Sequence, residues 1–220
     1  MNIRPIFLSL FLIVLGVVVP PPVLASRRGA YLGLNAGIAP TVWFHNAYGA
    51  GAEAGFRFSE RLGLGAEIGF GSTTYKSSSG WQEDSYESTA KTTYSAMPAS
   101  LSLYYVTPVS DRLAIYVGLG GGYYALSIKN ETEEHSPYYS QPQTATDTQK
   151  ARAFAPQVCL GFESGLFKNV TVVGEVKHSA GKTSMSTTDT YGFTSKQDIA
   201  FGGIQVKVGI RVMLGGSRRP

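Results

Sequence analysis

The chain has 220 residues, of which 43% are hydrophobic, 12% aromatic and only 15% charged, and its formal net charge is +4. Soluble domains carry about 25% charged residues, so too few charges are present to cover an ordinary water-facing surface. The single cysteine, Cys159, excludes an internal disulfide framework.

The first 25 residues have the layout of an export signal. Arg4 supplies a positive start, Ile6 to Val19 is apolar apart from Ser9 and Gly16, and Pro20, Pro21 and Pro22 precede Val23-Leu24-Ala25. That small-x-small ending predicts cleavage after Ala25, giving a signal peptide over 1–25 and one domain over 26–220. The apolar run is too short for a membrane helix, which needs about 20 residues, and the prolines block its extension. A lipoprotein would need a cysteine at the cleavage site. Loss of Arg4 lowers the net charge to +3, and the remaining cations form no patch interleaved with aromatics, so no nucleic-acid partner is expected. Basic pairs mark both mature ends, Arg27-Arg28 and Arg218-Arg219.

From Ala30 onward the pattern has period two. Ala30, Leu32, Leu34, Ala36, Ile38, Pro40, Val42 and Phe44 share one face, with Gly33, Asn35, Gly37 and Thr41 on the other. Tyr48, Ala50, Ala52, Ala54, Phe56 and Phe58 then alternate with Gly49, Gly51, Glu53, Gly55 and Arg57. After Ser59-Glu60-Arg61, Leu62, Leu64, Ala66, Ile68 and Phe70 alternate with glycines and Glu67. Met97, Ala99, Leu101, Leu103 and Tyr105 oppose Pro98, Ser100, Ser102 and Tyr104 in a fourth segment. A fifth sets Leu113, Ile115, Val117 and Leu119 against Tyr116, Gly118, Gly120 and Gly122. The sixth has Phe154, Pro156, Val158, Leu160 and Phe162 against Gln157, Cys159, Gly161 and Glu163. Val170, Val172 and Val176 face away from Glu175 and Lys177 in the seventh. The eighth runs Ile204, Val206, Val208, Ile210, Val212, Leu214 against Gln205, Lys207, Gly209, Arg211 and Met213. A strand sends successive side chains to opposite faces, so each segment is a strand with one apolar and one small-or-charged side.

The connections alternate too. Tight turns fall at Ser59, Thr107 and Ser164, long polar loops at Lys76 to Thr92, Ser127 to Lys150 and Ser179 to Asp198, and a short hairpin at His45-Asn46. Short turns on one side and long loops on the other predict an all-β, eight-stranded antiparallel up-and-down transmembrane β-barrel with its loops outside the cell. The apolar face must point outward, since an eight-stranded lumen is only wide enough for a few side chains and could not hold some forty bulky ones. Aromatics near strand ends suggest interfacial girdles, with Phe44, Tyr48 and Tyr94 on one rim and Phe58 and Tyr105 on the other.

Met97-Pro98-Ala99-Ser100-Leu101-Ser102-Leu103-Tyr104-Tyr105, followed after a turn by Ile115-Tyr116-Val117-Gly118-Leu119-Gly120, resembles the OmpA-like and opacity-protein-like family of small outer-membrane β-barrels. The resemblance spans Gly29 to Leu214. The last strand is similar to the assembly signal read by the barrel-insertion machinery, with Lys207 and Gly209 followed by apolar Val212 and Leu214. Family members usually end on an aromatic residue where Leu214 stands, and Gly-Gly-Ser-Arg-Arg-Pro follows it here. No C-terminal peptidoglycan-binding domain is present, which implies a free-standing barrel in the bacterial outer membrane. Contact with outer-membrane lipid and lipopolysaccharide, delivery by the assembly machinery and a monomeric state are expected.

The inward face carries Glu53, Glu67, Glu163 and Glu175 against Arg57, Lys177, Lys207 and Arg211. Buried charges are costly unless paired, so equal numbers predict a salt-bridge network across the lumen, with Tyr104, Tyr116 and Tyr124 filling space. A narrow ion-selective pore is the alternative. His178-Ser179 faintly resembles the His-x-Ser region of outer-membrane lipid A deacylases, but the spacing is one residue short and the expected asparagine is missing, so no catalytic residues are assigned. His45 and His135 lack metal-ligand spacing, and no metal or cofactor is expected. Gly118-Leu119-Gly120-Gly121-Gly122 lies in a strand with no helix after it, against a dinucleotide loop. The expected role is structural or surface-interacting rather than enzymatic, and nothing in the polar loops picks an extracellular ligand.

Overall fold

The computed structural model describes residues 28–40, 46–81, 86–135, 143–188 and 194–214. The expected signal peptide, Phe44 and His45 lie outside them. Eight strands follow in chain order: β1 (Gly29–Pro40), β2 (Asn46–Arg57), β3 (Leu62–Trp81), β4 (Tyr86–Pro108), β5 (Leu113–His135), β6 (Gln143–Phe167), β7 (Val170–Thr188) and β8 (Thr194–Leu214). Each pairs antiparallel with its sequence neighbours, and β8 pairs with β1 from Ala30 opposite Leu214 to Ile38 opposite Val206, closing the barrel.

The period-two pattern decides which way each strand faces. Tyr31, Glu53, Tyr104, Tyr116, Gln157, Glu175 and Arg211 are buried in the lumen, while their neighbours Leu32, Ala54, Leu103, Val117, Val158, Val176 and Ile210 are exposed on the outside. Thirty large apolar side chains are exposed among the described residues, nearly all on this outer face. A water-soluble protein does not present such a surface, whereas hydrocarbon lipid requires it. Leu103, Leu119 and Val158 stand opposite one another on β4, β5 and β6, so the apolar cover is continuous across strands. Leu119→Arg, placed within this row, is expected to cost about 2–4 kcal/mol. The check is urea unfolding of the barrel folded into phospholipid vesicles, where the midpoint should fall with an unchanged slope.

Two findings depart from the sequence expectation. Most of the long polar loops are strand: β3 and β4 stay paired as far as Trp81 opposite Tyr86, and β5 and β6 as far as Glu134 opposite Gln143. Thr and Ser tolerate the pleat even where both faces are polar, and cross-strand contacts such as Ser72–Ser95 (3.2 Å), Thr74–Thr93 (3.2 Å) and Thr92–Asn130 (3.0 Å) tie the extensions together. Hydrophobic alternation stops where the strands leave the apolar belt, so it could not trace them further. The second departure is Tyr94. It faces inward and packs against the lumen cluster around Tyr124 and Leu126, because β4 turns its odd positions, Met97 to Tyr105, toward lipid.

At the turn end, Ser59 and Ser110 cap their turns by accepting from Leu62 N (2.9 Å) and Leu113 N (3.2 Å). In β8, Gly202 adopts φ 103° directly beside the Ser179 backbone, a conformation and an approach that a Cβ would forbid.

Candidate functional site: the charged lumen

All eight charged residues expected in the lumen point inward, and they gather into two groups. Nearer the turn end, the Arg211 guanidinium forks onto the Glu53 carboxylate, with its Nη2 donating to Glu53 Oε2 at 2.9 Å, and also donates to Glu163. Arg57 pairs with the second oxygen of Glu163. The next group joins Glu67 to both Lys177 and Lys207, each at 2.6 Å, while Asn35 donates to the other Glu67 oxygen at 3.2 Å. Glu175 lies 3.0 Å from Lys207 and 3.7 Å from Lys177, and accepts from the Tyr116 hydroxyl at 2.8 Å.

Register explains the partners. Glu53 and Glu67 stand directly opposite each other on β2 and β3, an arrangement that would repel, and each is drawn away to its own cation. Glu175 and Lys207 are direct cross-strand partners on β7 and β8. Lys177 and Glu175 are neighbours on one face of β7, and the other bridges join strands that are not adjacent. In a ring of eight, strands four apart face each other, and Arg57–Glu163 (β2 to β6) and Lys177–Glu67 (β7 to β3) join two such pairs. Side chains thus cross the full bore.

Aromatic rings lock the two groups together. The Arg211 guanidinium lies 4.8 Å from the Tyr31 ring centre, 5.4 Å from Tyr116 and 5.9 Å from Tyr104. Tyr104 and Tyr116 meet edge to face at 5.4 Å, and Tyr116 carries the link on to Glu175. Tyr31, not singled out from the sequence, was signalled by its place on the inward parity of β1, in step with Gly33 and Asn35. Its ring lies over Gly65, where a Cβ would stand 2.6 Å from the Tyr31 hydroxyl, so that glycine supplies the room. Cys159 is buried beside Tyr104, Tyr116 and Val173, and Gln157 donates to Ser102 at 2.7 Å.

Above the ions, toward the hairpins, the lumen turns apolar, with Tyr124, Leu126, Ile128, Ala151, Ala153, Ala155 and Phe201 forming a cluster. A small cavity of about 80 Å³ lies at this level, lined by Tyr124, Phe201, Glu67 and Lys207 among others.

The remaining sequence candidates fall elsewhere. His178 is exposed on the lipid side while Ser179 is buried in the lumen, so the adjacent pair cannot share a substrate. Lys207 and Gly209 face inward and Val212 and Leu214 outward, all four on the strand that closes the barrel. Among the described residues, no three His, Cys, Asp or Glu gather as a metal site.

On the exposed hairpins a third cluster holds Glu131 between Lys91 (2.8 Å) and Lys129 (2.5 Å), whose hydrogen bonds bring its carboxyl down to about 2. A depressed folded value means that the contact contributes above the ordinary carboxylate range and is lost as pH falls through about 2. In a carbon-detected NMR titration, Glu131 is expected to stay ionised below pH 4 and to titrate normally once Lys91 and Lys129 are both changed to Gln.

An eight-stranded barrel with a lipid-compatible exterior and a side-chain-filled interior defines a membrane-spanning barrel protein. The chain belongs to the family described as "Outer membrane protein beta-barrel domain", whose pattern matches residues 9–211. It is a bacterial outer-membrane protein. No curated protein sequence matches it. Among solved structures it is similar to the outer membrane protein OprG from Pseudomonas aeruginosa, at 11% identity and a TM-score of 0.57, covering 87% of this chain and 99% of that one. Neisserial surface protein A aligns at 13% identity and a TM-score of 0.47, over 84% of this chain and 97% of its own. A major outer membrane protein from Thermus thermophilus aligns at 12% identity and a TM-score of 0.48, over 84% and 99%. At 11% identity the likeness to OprG is one of fold.

Proposed function

We propose that this protein is a closed, monomeric outer-membrane barrel with a structural and surface-interacting role, exported by cleavage after Ala25 and inserted by the barrel-assembly machinery. The observation that carries this reading is the pair of ion bridges between facing strands, Arg57–Glu163 and Lys177–Glu67, which occupy the bore that a solute would need. The network makes the barrel a rigid pedestal. The turns, with the start of β1 and the end of β8, face the periplasm, and the Ser- and Thr-rich hairpins project from the cell. There they contact lipopolysaccharide and whatever extracellular ligand the surface meets. No catalytic role is assigned: His178 and Ser179 lie on opposite faces of β7.

Planar-bilayer recording of the refolded protein tests this reading, after gel mobility with and without boiling has established that it is folded. The expected result is a silent membrane. Reproducible single-channel steps that change in Glu67→Gln or Lys207→Gln would instead assign the narrow pore.

A further inference from the structure

We propose that the outward face of the hairpin end is a docking surface for phosphate groups carried by the glycolipid of the outer leaflet. The inference rests on the reading above that the hairpins lie outside the cell. It starts from the outward positions followed up each strand. On β3 the last apolar one is Phe70, followed by Ser72, Thr74 and Lys76. On β4 Met97 is followed by Ser95, Thr93 and Lys91. On β5 Tyr123 and Ala125 lead to Ser127 and Lys129, and on β6 Phe154 leads to Arg152 and Lys150. Four adjacent strands thus go from apolar through hydroxyl or directly to cation within three outward steps. The cations sit where acyl chains give way to headgroups.

Register makes these cations neighbours. Lys76 stands directly opposite Lys91, a like-charge pair that is unfavourable unless an anion lies between them. Lys129 opposes Thr148 and Ser127 opposes Lys150, which puts Lys129 and Lys150 on a diagonal of the same face. Of the outward acids at this end, Glu131 is engaged by Lys91 and Lys129, Glu133 stands one outward step beyond it on β5, and Asp198 accepts from Ser184 at the edge of the hairpins (2.8 Å). Among the described residues none of these acids forms an ion pair with Lys76, Lys150 or Arg152. The turn end differs, because exposed Arg61 and half-buried Arg112 each follow an acid in sequence, Glu60 and Asp111.

Shape agrees with charge. A cleft of about 500 Å³ opens on this face, lined by Phe70 and Met97, by Ser95 and Ser127, and by Arg152 on the rung of Met97 with Lys150 one outward step beyond. An apolar floor flanked by two cations fits an amphiphile whose head is an anion and whose tail is hydrocarbon. A soluble polyanion would have no use for the floor, and a lumen solute would not reach this side. Long Lys and Arg stems can lie along the apolar belt while their heads meet a phosphate.

The test uses the full barrel refolded in nanodiscs of phosphatidylcholine containing either lipid A or enzymatically dephosphorylated lipid A. After exchange into detergent, retained glycolipid is quantified by mass spectrometry. Lipid A is expected to be retained and its dephosphorylated form not. The triple variant Lys76→Gln, Lys150→Gln, Arg152→Gln should lose at least about tenfold of that retention, since each surface cation near anionic lipid contributes appreciably. Lys168→Gln, at the turn end, should change nothing. Gel mobility confirms that each variant is folded, and Lys76→Arg with Lys150→Arg should restore retention to the level of the unaltered barrel. Equal retention of the two glycolipids, or an unaffected triple variant, overturns the inference. Thr146→Cys, labelled in intact cells by a membrane-impermeant maleimide, separates the two levels of the argument. Labelling with equal retention sinks only the phosphate surface, whereas no labelling sinks the orientation on which it stands.

Discussion

Arg211→Ala is expected to destabilise the barrel by about 3–5 kcal/mol, among the largest effects of any single change. Among the described residues, Arg211 is the ion partner of Glu53 and one of two for Glu163. With it gone, Arg57 still neutralises Glu163, but Glu53 is left charged and buried, and three tyrosine rings lose the cation they surround. Most of the cost therefore belongs to the stranded carboxylate, and the double variant Arg211→Met, Glu53→Gln should recover much of it. Urea titration of the folded barrel in vesicles measures both, with the slope held constant as evidence that the same surface is exposed. A loss below about 1 kcal/mol for Arg211→Ala would mean that water solvates these charges and that the bore is wet.

Glu67→Ala attacks the other group and has a second readout. Glu67 is held by two ammonium groups at 2.6 Å each, and its removal leaves Lys177 and Lys207 facing one carboxylate, Glu175. A loss of about 3 kcal/mol is expected from the uncompensated cation. Removing the side chain also clears one of the bridges that span the bore, so the variant should pass current where the parent is silent. The current should favour anions, because the exposed charge is positive. Destabilisation without conductance would locate the seal in the Arg57–Glu163 layer alone.

Much of this architecture is legible in the sequence because a strand's period leaves no freedom: once Leu101 and Leu103 face lipid, Ser102 and Tyr104 must face the lumen. The same rule placed every one of the eight lumen charges. It could not say that Glu67 would meet Lys177 and Lys207 rather than Arg57 or Arg211, because that choice depends on the stagger accumulated around the ring and on side-chain reach. Tyr94 shows the opposite error, where an aromatic near a strand end was read by position when its parity pointed inward. The paired extensions of β3 to β8 were hidden for a third reason. Residues such as Ser77, Ser78 and Thr89 carry no face preference, so their pairing is set by the hairpin they continue and not by burial.

The strands are held to unequal extents. β5 and β6 are paired over 22 rungs, from Leu113–Ser164 to Glu134–Gln143, whereas the closing β1–β8 ladder has nine, from Ala30–Leu214 to Ile38–Val206. Every other ladder joins strands adjacent in sequence, so its loop is small, but this one brings together segments almost a whole chain apart. Closing it carries the largest loop entropy with the fewest hydrogen bonds to offset it. The barrel therefore has a zip, and its last teeth to engage, and first to part, are those between the chain's two ends. A misassembled or thermally opened molecule would present a sheet with two raw edges in the bilayer, and the ion network, in which Arg211 and Lys207 on β8 reach past β1 to Glu53 on β2 and Glu67 on β3, doubles as the clasp that keeps those edges together.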